Sequence, residues 1–254
     1  MQSHSLIRHP RRRLLSAFQP VASPVVLSIQ RRSASDEAVR GGDVFEMCVR
    51  PDGSAAMLLA DLSSKGQRSL AHMEMLRTTF RRAACIERSP ARLMSMLNTL
   101  RFDGSRATLS ITFASAFIVN TERTACEVRY ASAGHDIALF VSGRHHRHCS
   151  ATGPILGIFD DATYTECVES FADDDLFVLA TDGVTECRSP IELGRQFGTT
   201  GIVKALAQGN PDSCMAAASA IVRSADAYTN GRYRDDATVV VAKKYPRKER
   251  PEGY

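Results

Sequence analysis

Aspartates stand where several apolar segments of this 254-residue chain begin or end. One ends the run MLLAD, one ends FVLATD, one opens DVFEMCV and a pair opens DDATVVVA. An ionised carboxylate at the end of a buried strand is costly unless a cation or hydrogen-bond donors meet it. Carboxylates that converge without His or Cys form an all-oxygen site, which suits hard ions such as Mg²⁺ or Mn²⁺. The candidates are Asp43, Asp61, Asp182, Asp235 and Asp236.

Asp43 and Asp61 are predicted to lie on one β-hairpin. The segment VFEMCV is β-rich, RPDGS at 50–54 is typical of a tight turn, and AAMLLA returns as a second strand. The two acids therefore occupy adjacent antiparallel strands near the same end. Gly41 and Gly42 permit a close backbone approach or positive φ before the first strand. Taken alone, Asp61 also fits a capping acid at a strand-to-helix turn, so the metal interpretation depends on the other acids.

The spacing of apolar residues changes after Gly66. They recur every three or four positions as far as Glu87, which predicts an amphipathic helix. Ser89 and Pro90 are typical of an N-cap followed by proline at the first helical position, so a second helix is predicted up to Leu100. Methionines on the apolar face indicate core packing, and an adaptable partner-binding surface is the alternative.

The other segments predict further strands and two later helices. Strands are expected at 25–29, 111–119, 126–132, 137–142, 163–171, 176–181 and 237–242, helices at 202–207 and 213–228, and a loop at 101–110. This order favours one α+β domain in which helices cover the outer faces of two antiparallel sheets. The tract HHRH at 145–148 is interpreted as an exposed turn rather than a metal site.

The net charge of +4 is concentrated near the N-terminus. Residues 1–35 contain six arginines and no acid, which leaves the rest of the chain at −2. We therefore expect no nucleic-acid binding by the domain. The sequence predicts a flexible basic tail at 1–24, one domain at 25–243 and a basic tail at 244–254. The N-terminal composition also fits a transit peptide, although it lacks the apolar core of a secretory signal.

Cysteine usage and hydropathy bear on the compartment. The seven cysteines are scattered and never form a CxxC pair. This favours reduced thiols in a cytoplasmic protein over a disulfide framework or a zinc site. No apolar run approaches the roughly 18 residues of a membrane-spanning helix, so no membrane association is predicted.

Eight short motifs, taken in order, resemble the SpoIIE-type protein phosphatases, the bacterial branch of the metal-dependent PPM serine/threonine phosphatase family. The motifs are GGDVFE (41–46), ADLSSKG (60–66), Asn98, ASAGH (131–135), GPILG (153–157), ATDGVTE (180–186), FG (197–198) and DDAT (235–238). Each motif is weak alone, and their common order over about residues 25–243 gives the resemblance its strength.

The resemblance implies an α-β-β-α sandwich with two Mn²⁺ or Mg²⁺ ions between the sheet edges. Asp61 would bridge the two ions, and Asp61, Asp182 and Asp235 are the implied catalytic acids. His135 and Asn98 would support the fold around the site. The implied metal ligands are Asp43, directly or through water, Asp61, the carbonyl of Leu62, Asp182, Asp235 and, with a lower rank, Asp236.

The implied activity is hydrolysis of phosphoserine or phosphothreonine in a protein by a metal-activated water. Family analogy suggests a phosphorylated anti-sigma-factor antagonist as substrate, in a bacterial stress-response or partner-switching circuit. The helix pair 66–100 would form the regulatory layer, where a regulatory partner or a second copy in a homodimer would bind.

Two departures from the family pattern keep an alternative function open. Ala60 and Ser64 stand where the family usually has glycine, and a non-glycine residue is uncommon if a position needs positive φ. The alternative is a catalytically weak or inactive pseudophosphatase that acts as a regulatory protein-binding module. The four primary carboxylates are all present, which favours an active enzyme.

Overall fold

The computed structural model describes residues 14–18, 25–33, 42–63, 67–99, 114–121, 127–135, 137–143, 145–191, 194–209 and 211–246. The strands are β1 (Leu14–Phe18), β2 (Val25–Arg32), β3 (Asp43–Val49), β4 (Ala55–Leu62), β5 (Ala114–Thr121), β6 (Glu127–Ala133), β7 (Ala138–Ser142), β8 (His145–His148), β9 (Cys167–Ser170), β10 (Leu176–Ala180) and β11 (Ala237–Lys244). The helices are α1 (Gln67–Ala84), α2 (Pro90–Thr99), α3 (Asp182–Thr185), α4 (Gly198–Gly209) and α5 (Cys214–Thr229). None of these helices combines the length and the apolar character that a bilayer crossing requires.

The strands form two antiparallel sheets. Sheet A has the order β1-β2-β11-β10-β7-β8, and sheet B has the order β3-β4-β5-β6-β9. Helices α4 and α5 pack on the outer face of sheet A, while α1 and α2 pack on the outer face of sheet B. The predicted α-β-β-α sandwich is therefore confirmed.

Alternation along the strands builds the three apolar layers of this sandwich. Consecutive side chains of a strand point to opposite faces. In β4, Met57 and Leu59 enter the layer between the sheets, whereas Leu58 and Ala60 face the helices of sheet B. All four are buried, and full burial of a leucine contributes about 1.5–3 kcal/mol. Because Asp61 follows in the same alternation, it belongs to the face between the sheets.

The predicted hairpin is present. Strands β3 and β4 pair along their whole length, and the turn between them is closed by a hydrogen bond from Arg50 N to Ser54 O (2.8 Å). A second bond runs from Gly53 N to Arg50 O (2.9 Å). Gly53 has a φ of +83°, a conformation that glycine adopts at no steric cost.

Three segments differ from the sequence-based expectations. Residues 14–18, which were assigned to the flexible tail, form an edge strand that pairs with β2. The tract at 145–148 is an exposed strand paired with β7 rather than a turn. The strand expected over 163–171 is confined to β9. The predicted loop 101–110 lies outside the described residues.

The two arginines at the end of β2 belong to the folded domain. Arg32 Nε donates to Asp226 Oδ1 of α5 (3.0 Å), and Tyr233 Oη donates to the same oxygen (2.9 Å). Arg31 projects from the opposite face of the strand, towards sheet B, and lies directly across from Thr238 of β11. Two of the six arginines that make the N-terminal region basic, Arg31 and Arg32, are therefore part of sheet A rather than of a tail.

Arg50 anchors the helix pair to the hairpin. Its buried guanidinium donates to the carbonyl oxygens of Ala84 (2.7 Å) and Glu87 (2.8 Å) and to Oδ1 of Asn120 (2.7 Å). The carbonyls at the end of a helix lack partners within that helix. Arg50 therefore satisfies the end of α1 and fixes its position over sheet B.

Candidate metal centre

Asp43 and Asp61 face each other across the hairpin. The register of β3 and β4 places them as direct cross-strand partners. Cβ atoms of such partners lie about 4.5–5.5 Å apart. Phe45 and Leu59, which pair two positions further along the hairpin, point into the layer between the sheets. Side chains two positions apart share one face of a strand, so Asp43 and Asp61 point the same way. The hairpin therefore presents two carboxylates towards sheet A.

Asp43 joins the two sheets through hydroxyl groups of sheet A. Its Oδ2 accepts hydrogen bonds from Thr181 Oγ1 (2.9 Å) and Thr238 Oγ1 (2.6 Å). Thr181 follows β10, and Thr238 lies on β11. Thr238 N also donates to Thr181 Oγ1 (2.9 Å), so the two threonines form one continuous chain of donors. Asp43 is thereby held at the edge where both sheets meet.

Asp43 is buried close to two other acids, which makes its negative charge costly. Burial raises the pKa of this carboxyl well above its ordinary value, and the bonds from Thr238 and Thr181 oppose that increase. The negative charges of Asp61 and Asp236 raise the pKa further. Like charges this close disfavour ionisation, and a bound cation reverses that effect. The electrostatics of this edge therefore favour a positive ion.

Gly42 forms a narrow notch beside Asp61 that a side chain would fill. A Cβ atom on this glycine would lie 2.5 Å from Asp61 Oδ1 and 2.5 Å from the carbonyl oxygen of Leu62. Real Cβ atoms essentially never approach an oxygen so closely, so only glycine fits without displacement. The carboxylate of Asp61 and the carbonyl of Leu62 thus border the same point. These are two of the oxygen donors expected from the resemblance.

The later acids come from sheet A. Asp182 opens α3 directly after β10 and is exposed, while Asp235 and Asp236 are half-buried and precede β11. Gly183 packs against this segment, since a Cβ atom there would lie only 1.9 Å from Asp236 O. Asp235 Oδ1 accepts a hydrogen bond from Asp236 N (2.9 Å). The first turn of α3 is therefore in backbone contact with the segment that carries Asp235 and Asp236.

The acids are grouped at one edge but do not form a closed ligand set. Within the described part of the chain, no three His, Cys, Asp or Glu side chains form a ready-made metal-binding group. The oxygen donors nevertheless fit hard divalent ions, which keep several waters and use few protein ligands. The buried Asp43 and the glycine notch at Gly42 are the observations that support this fit.

The two residues expected to support the fold do so. Asn98 of α2 accepts a hydrogen bond from Gly157 N (3.0 Å) and donates to Phe159 O (2.9 Å), which ties the GPILG loop to the helix. His135 is buried, and its Nδ1 lies 3.4 Å from Oγ of Ser115, the cross-strand partner of Asp61. Both residues thus act on the surroundings of the hairpin.

Ala60 and Glu46 point away from this edge. Ala60 is fully buried on the helix-facing side of β4, so its methyl group does not enter the site. Glu46 also lies on that side, where its Oε2 accepts a hydrogen bond from Arg81 of α1 (2.8 Å). Ser64 lies outside the described residues, so the departure at that position stays a prediction.

Arg31 is a cation that the sequence interpretation missed. It lies across from Thr238, whose side chain bonds to Asp43, and no described residue accepts a hydrogen bond from its buried Nε. Burial lowers the pKa of this guanidinium, while Asp43 is the carboxylate that raises it most. The available signal in the sequence was that Arg31 directly follows the β-rich run VVLSIQ, which indicates a strand rather than a tail.

The sequence matches the model of a known family over residues 51–245, and that family is described as Stage II sporulation protein E (SpoIIE). The chain belongs to the SpoIIE family. The resemblance to SpoIIE-type PPM phosphatases is therefore confirmed. A curated relative is the "Phosphoserine phosphatase RsbU" of Bacillus subtilis (strain 168), with 28% identity over 150 residues. That match covers 58% of this chain and 44% of the relative, so the chain matches less than half the length of that protein.

Solved structures share the fold of this SpoIIE-family chain. The SiaA-PP2C domain of Pseudomonas aeruginosa has a TM-score of 0.73 at 20% identity, covering 87% of this chain and 86% of that one. A PP2C phosphatase domain with a fragment of the regulatory domain of SpoIIE from Bacillus subtilis has a TM-score of 0.70 at 16% identity. That match covers 92% of this chain and 72% of the other. At these identities the similarity concerns the fold alone.

Proposed function

We propose that this SpoIIE-family protein is a protein serine/threonine phosphatase that depends on two Mn²⁺ or Mg²⁺ ions. The observation that carries the proposal is the cross-strand pair Asp43 and Asp61 beside the notch at Gly42. Two acids directed at one edge, with a backbone carbonyl next to them, are typical of a hard-ion site. PPM-type phosphatases use divalent metals, which agrees with this donor set.

The metal ligands in this proposal come from both sheets. Sheet B provides Asp61, the Leu62 carbonyl and Asp43, and sheet A provides Asp182 and Asp235 with Asp236 as a neighbour. When bound, the ions would supply Lewis-acid activation of water and neutralise charge on the phosphoryl oxygens. The protein contributes position: the threonine pair orients Asp43, and Gly42 places no side chain against the Asp61 carboxylate.

We assign Arg31 to the phosphoryl group of the substrate. A guanidinium binds phosphate oxygens in a bidentate geometry, and this one stays charged at neutral pH. Its buried Nε has no acceptor among the described residues and lies next to the acidic edge. A phosphate dianion at this edge would accept hydrogen bonds from the terminal amino groups of the guanidinium. Arg31 would thus position the substrate without taking part in bond cleavage.

The proposed substrate is a phosphorylated regulatory protein. The curated relative is named a phosphoserine phosphatase, and this activity is our proposal for the present chain. An anti-sigma-factor antagonist in a partner-switching or stress-response circuit of the cytoplasm is the specific candidate. The helix pair is the candidate surface for a regulatory partner or a homodimer, because Leu70, Met75 and Met96 are exposed there at 38%, 37% and 42%.

The test combines turnover with metal binding. Purified protein is assayed on a phosphopeptide and an aryl phosphate with Mn²⁺ and with a chelator, while calorimetry counts bound Mn²⁺. We expect Mn²⁺-dependent hydrolysis that Asp61→Asn abolishes and that Asp212→Asn, which changes an exposed acid before α5, leaves intact. Uptake of Mn²⁺ without turnover would identify a binding module instead. Equal activity with and without the chelator would contradict the metal-dependent mechanism.

Arg31 is tested by measuring substrate binding and turnover separately. Arg31→Met should raise KM for the aryl phosphate about tenfold or more, since loss of a charge-assisted hydrogen bond costs about 1.5–3 kcal/mol. Mn²⁺ affinity should not fall in this variant, because the substitution removes a positive charge beside the acids. Arg32→Lys, on the opposite face of β2, is the matched control. An unchanged KM in Arg31→Met would refute the assignment.

A further inference from the structure

Cys48 and Cys85 form a close pair of thiols that the proposed phosphatase chemistry does not use. Their Sγ atoms lie 3.5 Å apart, although 37 positions separate them in the chain. Cys48 is buried on the helix-facing side of β3, and Cys85 follows α1 and is exposed. Among the six described cysteines, only Cys85 is exposed. No spacing pattern in the sequence indicates this pair, because no CxxC motif is present.

Contacts on both sides of the thiols hold them together. Glu46, two residues before Cys48 on the same face of β3, accepts a hydrogen bond from Arg81, one helical turn before Cys85 (2.8 Å). Arg50, two residues after Cys48, donates to the carbonyl of Ala84 (2.7 Å). The strand and the helix end are therefore fixed against each other before any sulfur–sulfur bond exists. Such positioning gives one thiol a high effective concentration at the other.

We propose that Cys48 and Cys85 are a reversible modification site, which closes to an intramolecular disulfide when a low-molecular-weight disulfide is available. A disulfide needs sulfur atoms about 2.05 Å apart, so the pair must approach by roughly 1.5 Å. Cys85 lies beyond the last residue of α1 and is exposed, so a rotation of its side chain is unhindered by core packing.

The reaction begins at the exposed sulfur. The Cys85 thiolate attacks a sulfur of the small disulfide, which forms a mixed disulfide and releases one small thiolate. The Cys48 thiolate then attacks Cys85 Sγ and displaces the second small thiolate. Two protein thiols are oxidised, one small disulfide is reduced to two thiols, and the two protein protons pass to the released thiolates. Attack from solvent at Cys48 is blocked by its burial.

Burial also sets the pace of the second step. Burial first, and the neighbouring Cys85 next, raise the pKa of the Cys48 thiol to about 11. Only a small fraction is therefore thiolate at neutral pH, and closure should accelerate as the pH rises from 7 to 9. The bond would join the end of α1 to the strand that begins with Asp43, so it would restrain the helix pair relative to the candidate metal centre.

The experiment measures the bond itself and does not depend on phosphatase activity. Reduced full-length protein is equilibrated with graded ratios of oxidised to reduced glutathione, quenched in acid, alkylated and analysed by intact mass and peptide mapping. We expect the loss of two alkylatable thiols in a monomer, with one peptide pair that joins Cys48 to Cys85. Dithiothreitol should restore both thiols.

Variants separate this bond from other cysteine chemistry. Cys85→Ser should prevent the loss of two thiols and leave Cys48 reduced, whereas Cys187→Ser, at a buried cysteine under sheet A, should retain the cross-link. Because Cys85 is exposed, its variant is expected to fold even if Cys48→Ser does not. Persistent alkylation of both thiols at the most oxidising ratio would overturn the proposal. So would stable glutathione on Cys85 or a dimer linked through Cys85.

Discussion

Gly42→Ala places one methyl group in the notch beside Asp61. The new Cβ would lie 2.5 Å from both Asp61 Oδ1 and the Leu62 carbonyl oxygen, and at least 3.0 Å is needed for any real contact. Both oxygens must therefore move away from the Cβ by at least 0.5 Å, or the backbone of residue 42 must shift by a similar amount. A movement of 0.9 Å is needed to reach the ordinary contact distance of 3.4 Å. Gly42 does not have a positive φ, so the strain is confined to this contact.

The size of the effect follows from the tolerance of metal sites. Ligand distances in such sites are met within about 0.2 Å, so a displacement of 0.5–0.9 Å removes a productive ligand position. We expect at least a tenfold loss of Mn²⁺ affinity, as for disturbed supporting residues of metal sites. A misplacement near 1 Å costs about 100-fold in rate, which corresponds to about 2.7 kcal/mol in the barrier. Overpacking would also cost about 1–3 kcal/mol of folding stability.

Three measurements separate these contributions: calorimetric Mn²⁺ titration, kcat/KM on an aryl phosphate, and urea unfolding. Gly143→Ala is the control, because its Cβ would meet no atom within 4 Å but its φ of +57° makes alanine costly there. It should lose about 1–2 kcal/mol of stability while metal affinity and turnover stay unchanged. Wild-type metal affinity and turnover in a folded Gly42→Ala protein would refute the placement of the site beside Gly42.

Further substitutions test how the fold supports the site. Asn98→Ala should lower the free energy of unfolding by about 1–3 kcal/mol, because the buried N–H of Gly157 loses its acceptor. Hydrogen exchange at that amide should become faster, and unchanged protection there would contradict the anchoring role. Ser213→Ala removes the side chain that caps α5 and should lower the free energy of unfolding in urea by about 1 kcal/mol; no loss would mean that the cap is dispensable. Arg32→Met should lower the free energy of unfolding by about 3 kcal/mol, because Asp226 loses a partner that binds it through both Nε and Nη2. A thermal midpoint equal to that of the wild type would contradict the importance of this pair.

The hairpin with Asp43 and Asp61 could be predicted because its determinants are local. Alternation assigns each side chain to a face, and the turn between the strands sets which residues oppose each other. The same reasoning predicted the start of α2 at Pro90, where the N-cap and proline preferences agree. Local patterns therefore sufficed for one half of the candidate centre.

The other half depends on pairings that no local pattern reports. The position of Arg31 follows from the pairing of β2 with β11, strands near opposite ends of the chain. The start of β11 marked Asp236 as a candidate, but its approach to Asp43 requires both sheets to meet at one edge. The contact of Cys48 with Cys85 arises because α1 returns along β3. Family resemblance anticipated the acids, whereas Arg31 and the thiols needed the structure.

The pairing of β2 with β11 also determines when the candidate centre becomes complete during synthesis. Every strand of sheet B has been made once β9 emerges, but β2 waits for the last strand of the chain before it gains its second neighbour. Thr238, which holds Asp43, arrives with that strand. A growing polypeptide therefore carries an assembled hairpin with an incomplete centre. For the proposed phosphatase, a chain that ends before β11 should therefore neither bind Mn²⁺ nor hydrolyse a phosphopeptide.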